Sequence, residues 1–132
     1  MRLPIFAACL CVALPAFAAD TSAPATAPVI QVLSDDAVKG ADGTHVVSAF
    51  IDWPAGADTG KHTHPGDEYS YVIIGTIEID VEGQPPQIYK GGDSYHNARG
   101  VVHEAKNLGT RAAKTYAVLV LDKDVPLTQP VK

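Results

Sequence analysis

A chain of 132 residues has room for one domain and one core. With ten Lys and Arg against fifteen Asp and Glu the formal charge is −5, a sign that argues against nucleic acid or an anionic membrane as partner. It also disfavours a multiply phosphorylated substrate.

Residues 1–18, MRLPIFAACLCVALPAFA, have a positive Arg2, a short apolar run and an Ala16-Phe17-Ala18 end, which together read as a cleavable export signal. Pro4 and Pro15 interrupt the run, which is shorter than the roughly 20 apolar residues that a membrane span needs. The expectation is an exported protein, periplasmic or secreted, with no membrane attachment after cleavage. Cys9 and Cys11 both lie in this segment. The mature domain therefore has no disulfide, and its core, with any bound metal, must supply the stability. Removing the segment leaves nine Lys and Arg against fifteen acids, a formal −6.

Residues 19–28 are small, polar and proline-rich and read as a flexible linker, followed by a domain over 29–132. From Val29 onward no window shows a sustained 3.6-residue apolar repeat, so helix is excluded. Strands are predicted over 29–33, 44–53, 69–74, 77–82, 86–89, 94–97, 102–107 and 112–121. The clearest is IEIDVE, where Ile77, Ile79 and Val81 alternate with Glu78, Asp80 and Glu82. Between YSYVII and IEIDVE, Gly75-Thr76 suits a tight hairpin. Short strands at this spacing define an all-β sandwich or barrel.

In KHTHPGDEYSY, residues two apart in extended chain face the same side, so His62 and His64 can aim at one point. Glu68 shares their parity and Asp67 does not, although Pro65-Gly66 can break the strand. Two imidazoles and a carboxylate suit iron, manganese, nickel, copper or zinc, and His103, after the turn at Gly100, is the candidate fourth donor. Alone, an H-x-H pair is a weak signal, because surface histidines are common.

The wider spacing is specific. Gly56, His62, His64, Glu68 and Gly75 fill every fixed position of the first cupin motif. Gly92, Gly100, His103 and Asn107 fall in register with the second, in which Ala98 replaces the usual turn proline. The chain thus resembles the cupin superfamily. The resemblance implies an antiparallel double-stranded β-helix, or jelly-roll barrel, with His62, His64, Glu68 and His103 as metal ligands and the glycines and Asn107 as structural residues. It further implies a small-molecule ligand or substrate, and a homodimer as a family expectation only. Among small exported cupins the resemblance is to quercetinase-like dioxygenases, with Glu68 alternating between ligand and proton acceptor. An isomerase of the same fold and a non-catalytic binding protein are the alternatives.

Outside both motifs, His96 could line a cavity or face solvent, and His45 reads as an edge or surface residue. Tyr69, Tyr71, Tyr95 and Tyr116 are candidates for core packing or pocket lining, Trp53 for a packing anchor. Asp67 and Glu104 flank proposed ligands and could orient them or sit on the surface.

Overall fold

The computed structural model describes residues 26–132, so the expected export signal at 1–18 and most of the expected linker at 19–28 lie outside the described residues. Ten strands follow in order: β1 (Val29–Ala37), β2 (Thr44–Trp53), β3 (His62–Thr63), β4 (Gly66–Ile74), β5 (Thr76–Val81), β6 (Gln87–Lys90), β7 (Ser94–Asn97), β8 (His103–Lys106), β9 (Ala113–Asp122) and β10 (Gln129–Pro130). They form two five-stranded antiparallel sheets, β1-β2-β9-β4-β7 and β10-β3-β8-β5-β6. No helix occurs among the described residues. The fold is the all-β jelly roll that the strand pattern and the motifs implied.

Burial follows the two-residue period. Along β9, AKTYAVLVLD, every second residue is buried, from Ala113 through Ala117 and Leu119 to Leu121. Ala117, Leu119 and Leu121 cluster with Val47 of β2, Ala49 of β2 is the cross-strand partner of Ala117, and Ala113 joins Trp53, Val72, Ile77, Ile79 and Ala105 in a second apolar cluster. Full burial of each large side chain stabilises the fold by about 1.5–3 kcal/mol. The indole N–H of Trp53 donates to Thr115 Oγ1 at 3.0 Å, which lets the ring pack without leaving a donor unsatisfied. On β5, Ile77 and Ile79 are buried while Asp80, on the opposite face, meets Lys106 Nζ at 2.8 Å.

The Gly75-Thr76 link is not a hairpin. β4 pairs with β7 and β9, whereas β5 pairs with β6 and β8, so the chain turns a corner from one sheet to the other at Gly75. Gly75 takes positive φ (89°), which the corner requires as a tight turn would, and the glycine has a second cause: a Cβ there would lie 2.5 Å from Ala113 Cβ. Gly66, at a variable position of the first motif, is tighter still, since a Cβ would fall 1.9 Å from the Val120 carbonyl oxygen. β4 thus presses directly on β9 where it enters the site.

Asn107 ties the end of β2 to the loop between β8 and β9. Its Nδ2 reaches the carbonyls of Trp53, Pro54 and Arg111 at 2.9–3.0 Å, and its Oδ1 accepts Gly109 N–H at 3.0 Å. The turn after β7 closes with Val101 N–H on Ala98 C=O at 3.1 Å, so alanine forms it without the proline.

Of the tyrosines only Tyr95 is buried, and Tyr116 is half-buried with its ring edge-on to Phe50. Tyr69 and Tyr71 correct the expectation of core or pocket: they face outward on β4, about half exposed, with Ile73 beside them. Their neighbours Glu68, Ser70 and Val72 take the inward positions.

Candidate metal centre

The strand β3 is only two residues long, and it exists to place a histidine. His62 is the direct cross-strand partner of His103 on β8, and Pro130 of β10 pairs with His62 from the other side. The chain leaves strand geometry at His64 and Pro65 and resumes it at Gly66, so the break falls before the glycine and the parity of Glu68 survives. His62, His64, His103 and Glu68 are all buried, each 2–6% exposed. The ring centroids of the three histidines lie 4.3 to 5.1 Å apart, and their candidate ligand nitrogens fall within 4.8 Å of one another.

Each ring is oriented by a backbone carbonyl. Nδ1 of His62 lies 2.8 Å from Gly60 O, Nδ1 of His64 lies 2.7 Å from Leu127 O, and Nδ1 of His103 lies 3.0 Å from Val101 O. A carbonyl has no proton to give, so Nδ1 carries the hydrogen in all three and the neutral ring presents a lone pair at Nε2. The orienting role foreseen for Asp67 and Glu104 thus belongs to main-chain carbonyls. Asp67 instead pairs with His96 Nε2 at 2.9 Å on the surface, where the His96 ring stacks on Tyr69, and Glu104 meets Lys106 Nζ at 2.8 Å. His45 meets Asp35 of the edge strand β1.

Glu68 Oε2 stands 3.3 Å from His64 Nε2 and 3.7 Å from His103 Nε2. Its other contacts are donors: Ser70 Oγ–H to Oε1 at 2.6 Å and Asn97 Nδ2–H to Oε2 at 2.9 Å. Neither Ser70 nor Asn97 was a site candidate in the sequence, although Ser70 shares the parity of Glu68 and was legible on that ground. Burial alone raises the Glu68 carboxyl, but His103, His64 and the Ser70 hydroxyl outweigh it and hold the group well below the usual carboxylate range. Burial pulls His64 down, yet the Glu68 carboxylate prevails and raises it. His62 is lowered, by burial first and by the neighbouring imidazoles, against the carbonyl of Gly60.

These facts test the site for a metal. A buried carboxylate costs several kcal/mol, and two hydrogen bonds to a charged group offset about 1.5–3 kcal/mol each. Three converging lone pairs add repulsion, so the centre needs a cation. A proton on His64 supplies one, and a divalent transition ion suits the whole N,N,N,O set better because it engages every donor at once. The three histidines could hold a metal ion, and the donor chemistry fits it.

The site lies on the wall of a cavity of about 310 Å³ lined by apolar side chains that include Ile51, Trp53, Ala105, Leu119 and Leu127, with Tyr95 and Asn97 from β7. The end of the linker reaches it: Ala27 and Pro28 contribute to the lining, and Thr26 C=O accepts Asp58 N–H at 3.1 Å.

Residues 49–119 match the Cupin domain family, more than half of the chain, and the protein belongs to that family. Its fold is similar to a cupin-like protein from Thermotoga maritima (TM-score 0.62, 22% identity, 80% of this chain and 77% of that one). It is likewise similar to an uncharacterised conserved protein with a double-stranded β-helix domain from Klebsiella pneumoniae (TM-score 0.59, 21% identity, 80% of this chain and 86% of that one). Oxalate decarboxylase from Bacillus subtilis shares the fold over 58% of this chain and 22% of its own length, at 23% identity and a TM-score of 0.53. No curated protein matches the sequence.

Proposed function

We propose that the protein is an exported, metal-dependent cupin enzyme acting on a small organic substrate, with a dioxygenase-like reaction on an aromatic diol or flavonol type of molecule as the leading reading. The observation that carries it is the position of the donor set: His62, His64, His103 and Glu68 all border the 310 Å³ cavity instead of being sealed in the core. A metal that served only as a staple would need no such access.

His62, His64, His103 and Glu68 would hold a divalent transition ion, which would supply Lewis-acid chemistry and, if redox-active, electron transfer. The carbonyls of Gly60, Leu127 and Val101 would fix the three rings and leave the lone pair of each neutral ring at Nε2. Ser70 and Asn97 hold the Glu68 carboxylate in place. Apolar walls would displace water from the substrate, and Asn97 and Tyr95 are among the polar residues of the lining.

One observation favours the second reading, a non-catalytic binding protein. Glu68 already accepts two hydrogen bonds and is held well below the usual carboxylate range, which makes it a weak proton acceptor.

The test is oxygen uptake. Metal-free protein is loaded separately with Fe, Mn, Ni, Cu or Zn and supplied with catechols and flavonols under air. Uptake that depends on a redox-active ion and disappears in His62→Ala supports the dioxygenase. Turnover without oxygen points to an isomerase, and tight ligand binding without turnover under any metal points to the binding protein.

A further inference from the structure

The charge of the cavity wall restricts its occupant. Among the described residues that line it, the ionisable side chains are the three histidines, Glu68, Tyr95 and Asp58, and no Lys or Arg is present. Asp58 accepts Gly60 N–H at 2.7 Å, so this second carboxylate is held at the wall by the segment that leads into His62. A divalent ion at the centre would therefore share the cavity with two carboxylates and no side-chain cation other than a protonated histidine. A dicarboxylate or phosphate monoester would lose the hydration of two charges and find neither an arginine fork nor an ammonium to replace it.

Size and polarity point the same way. A volume of about 310 Å³ is at the lower end of the roughly 300–1,000 Å³ usual for ligand pockets, and Ile30, Ile51, Trp53, Leu119 and Leu127 make most of the wall apolar. Ile30 extends this lining from β1 at the rim, where its side chain is about half exposed. An occupant gains by covering it.

We propose that the cavity selects a small, predominantly apolar molecule that presents a neutral or monoanionic oxygen group to the histidine end and rejects dianions, which narrows the substrate class proposed above to its one-ring members and sets flavonols aside. The inference rests on the metal reading of the same site. It separates this cavity from one built for a dicarboxylate such as oxalate, despite the shared fold.

The experiment uses cobalt(II)-loaded full-length protein at pH 7 and reads the visible absorption of the ion. Butanoate, pentanoate and hexanoate are titrated beside succinate, glutarate and adipate, so that each pair shares a chain length. Monocarboxylate affinity is expected to rise about fourfold for each buried methylene, and each dicarboxylate to bind at least tenfold more weakly than its partner. In Ile30→Arg, which puts a cation at the rim without touching the core, adipate is expected to gain at least tenfold and hexanoate to gain nothing. Dicarboxylates that bind wild type as tightly as monocarboxylates, affinity independent of chain length, or no spectral response to either series each overturn the proposal. A wild-type protein that takes up no cobalt overturns the metal reading and this inference with it. Cobalt uptake with adipate preferred leaves the metal reading standing and removes only the ligand class.

Discussion

His64 donates its Nδ1–H to the carbonyl oxygen of Leu127, 2.7 Å away and 63 residues later in the chain. The C-terminal segment thereby reaches the centre twice, because Gln129 and Pro130 also pair with Thr63 and His62. Leu127 packs its side chain against the Val47, Ala117, Leu119 and Leu121 cluster, so this contact couples the end of the chain to both core and site.

Removing residues 125–132 takes away the His64 partner and the β10 pairing together. Metal affinity is expected to fall about 10- to 100-fold, the usual effect of losing an orienting hydrogen bond on a ligand. Calorimetric titration of the truncated chain with zinc or cobalt measures it.

Ser70→Ala removes the shortest hydrogen bond to Glu68 and leaves the three histidines untouched. The expected result is metal affinity weakened by about tenfold with only a small change in unfolding midpoint. Parallel calorimetric and denaturant titrations separate the two effects. An unchanged affinity would show that Asn97 alone orients the carboxylate.

Thr115→Val has the opposite profile. It strands the buried indole N–H of Trp53, at a cost of about 1–3 kcal/mol, and removes none of the hydrogen bonds to Glu68 or the three histidines. Urea denaturation should show the loss, and metal affinity should stay within twofold of wild type.

Acid acts on the centre through His64. Its folded pKa is raised, so in metal-free protein its proton stabilises the fold below the ordinary histidine value of about 6.5, and this contribution is lost as pH rises through the raised value. His62, with its pKa lowered, acts the other way: the stability it gives by staying neutral is present above about 6.5 and declines as pH falls through its lowered value. Metal binding requires every imidazole to be neutral, so protons compete with the ion. The increase in melting temperature on adding metal should be largest above pH 7 and shrink steadily below about pH 6.5. Melting curves with and without metal across pH 5–8 test the slope.

The alternating strands were legible in the sequence because their period is strong. β2 was predicted to the residue, and β5 and β9 to within one residue, since each carries an apolar face with a polar or half-buried complement. β3 and β10 were not foreseen, because two-residue strands are too short for a period and the buried side of β3 is a histidine. The hairpin at Gly75 failed for a different reason: positive φ serves a sheet-to-sheet corner as well as a tight turn, and only the pairing of β4 with β9 distinguishes them. At the site, parity favoured Glu68 over Asp67, and Glu68 is buried beside His64 and His103 while Asp67 meets His96 on the surface. The carbonyls that orient the histidines had no signature, because main-chain oxygens carry no residue identity.

The central claim is that His62, His64, His103 and Glu68 form one site for a divalent transition ion. Calorimetric titration of metal-free protein with cobalt or zinc tests it most directly, with His62→Ala and the surface His96→Ala measured beside wild type. The account predicts one ion per chain for wild type and His96→Ala, and affinity at least a hundredfold weaker for His62→Ala. Unaltered binding in His62→Ala, or binding lost in His96→Ala, would contradict it.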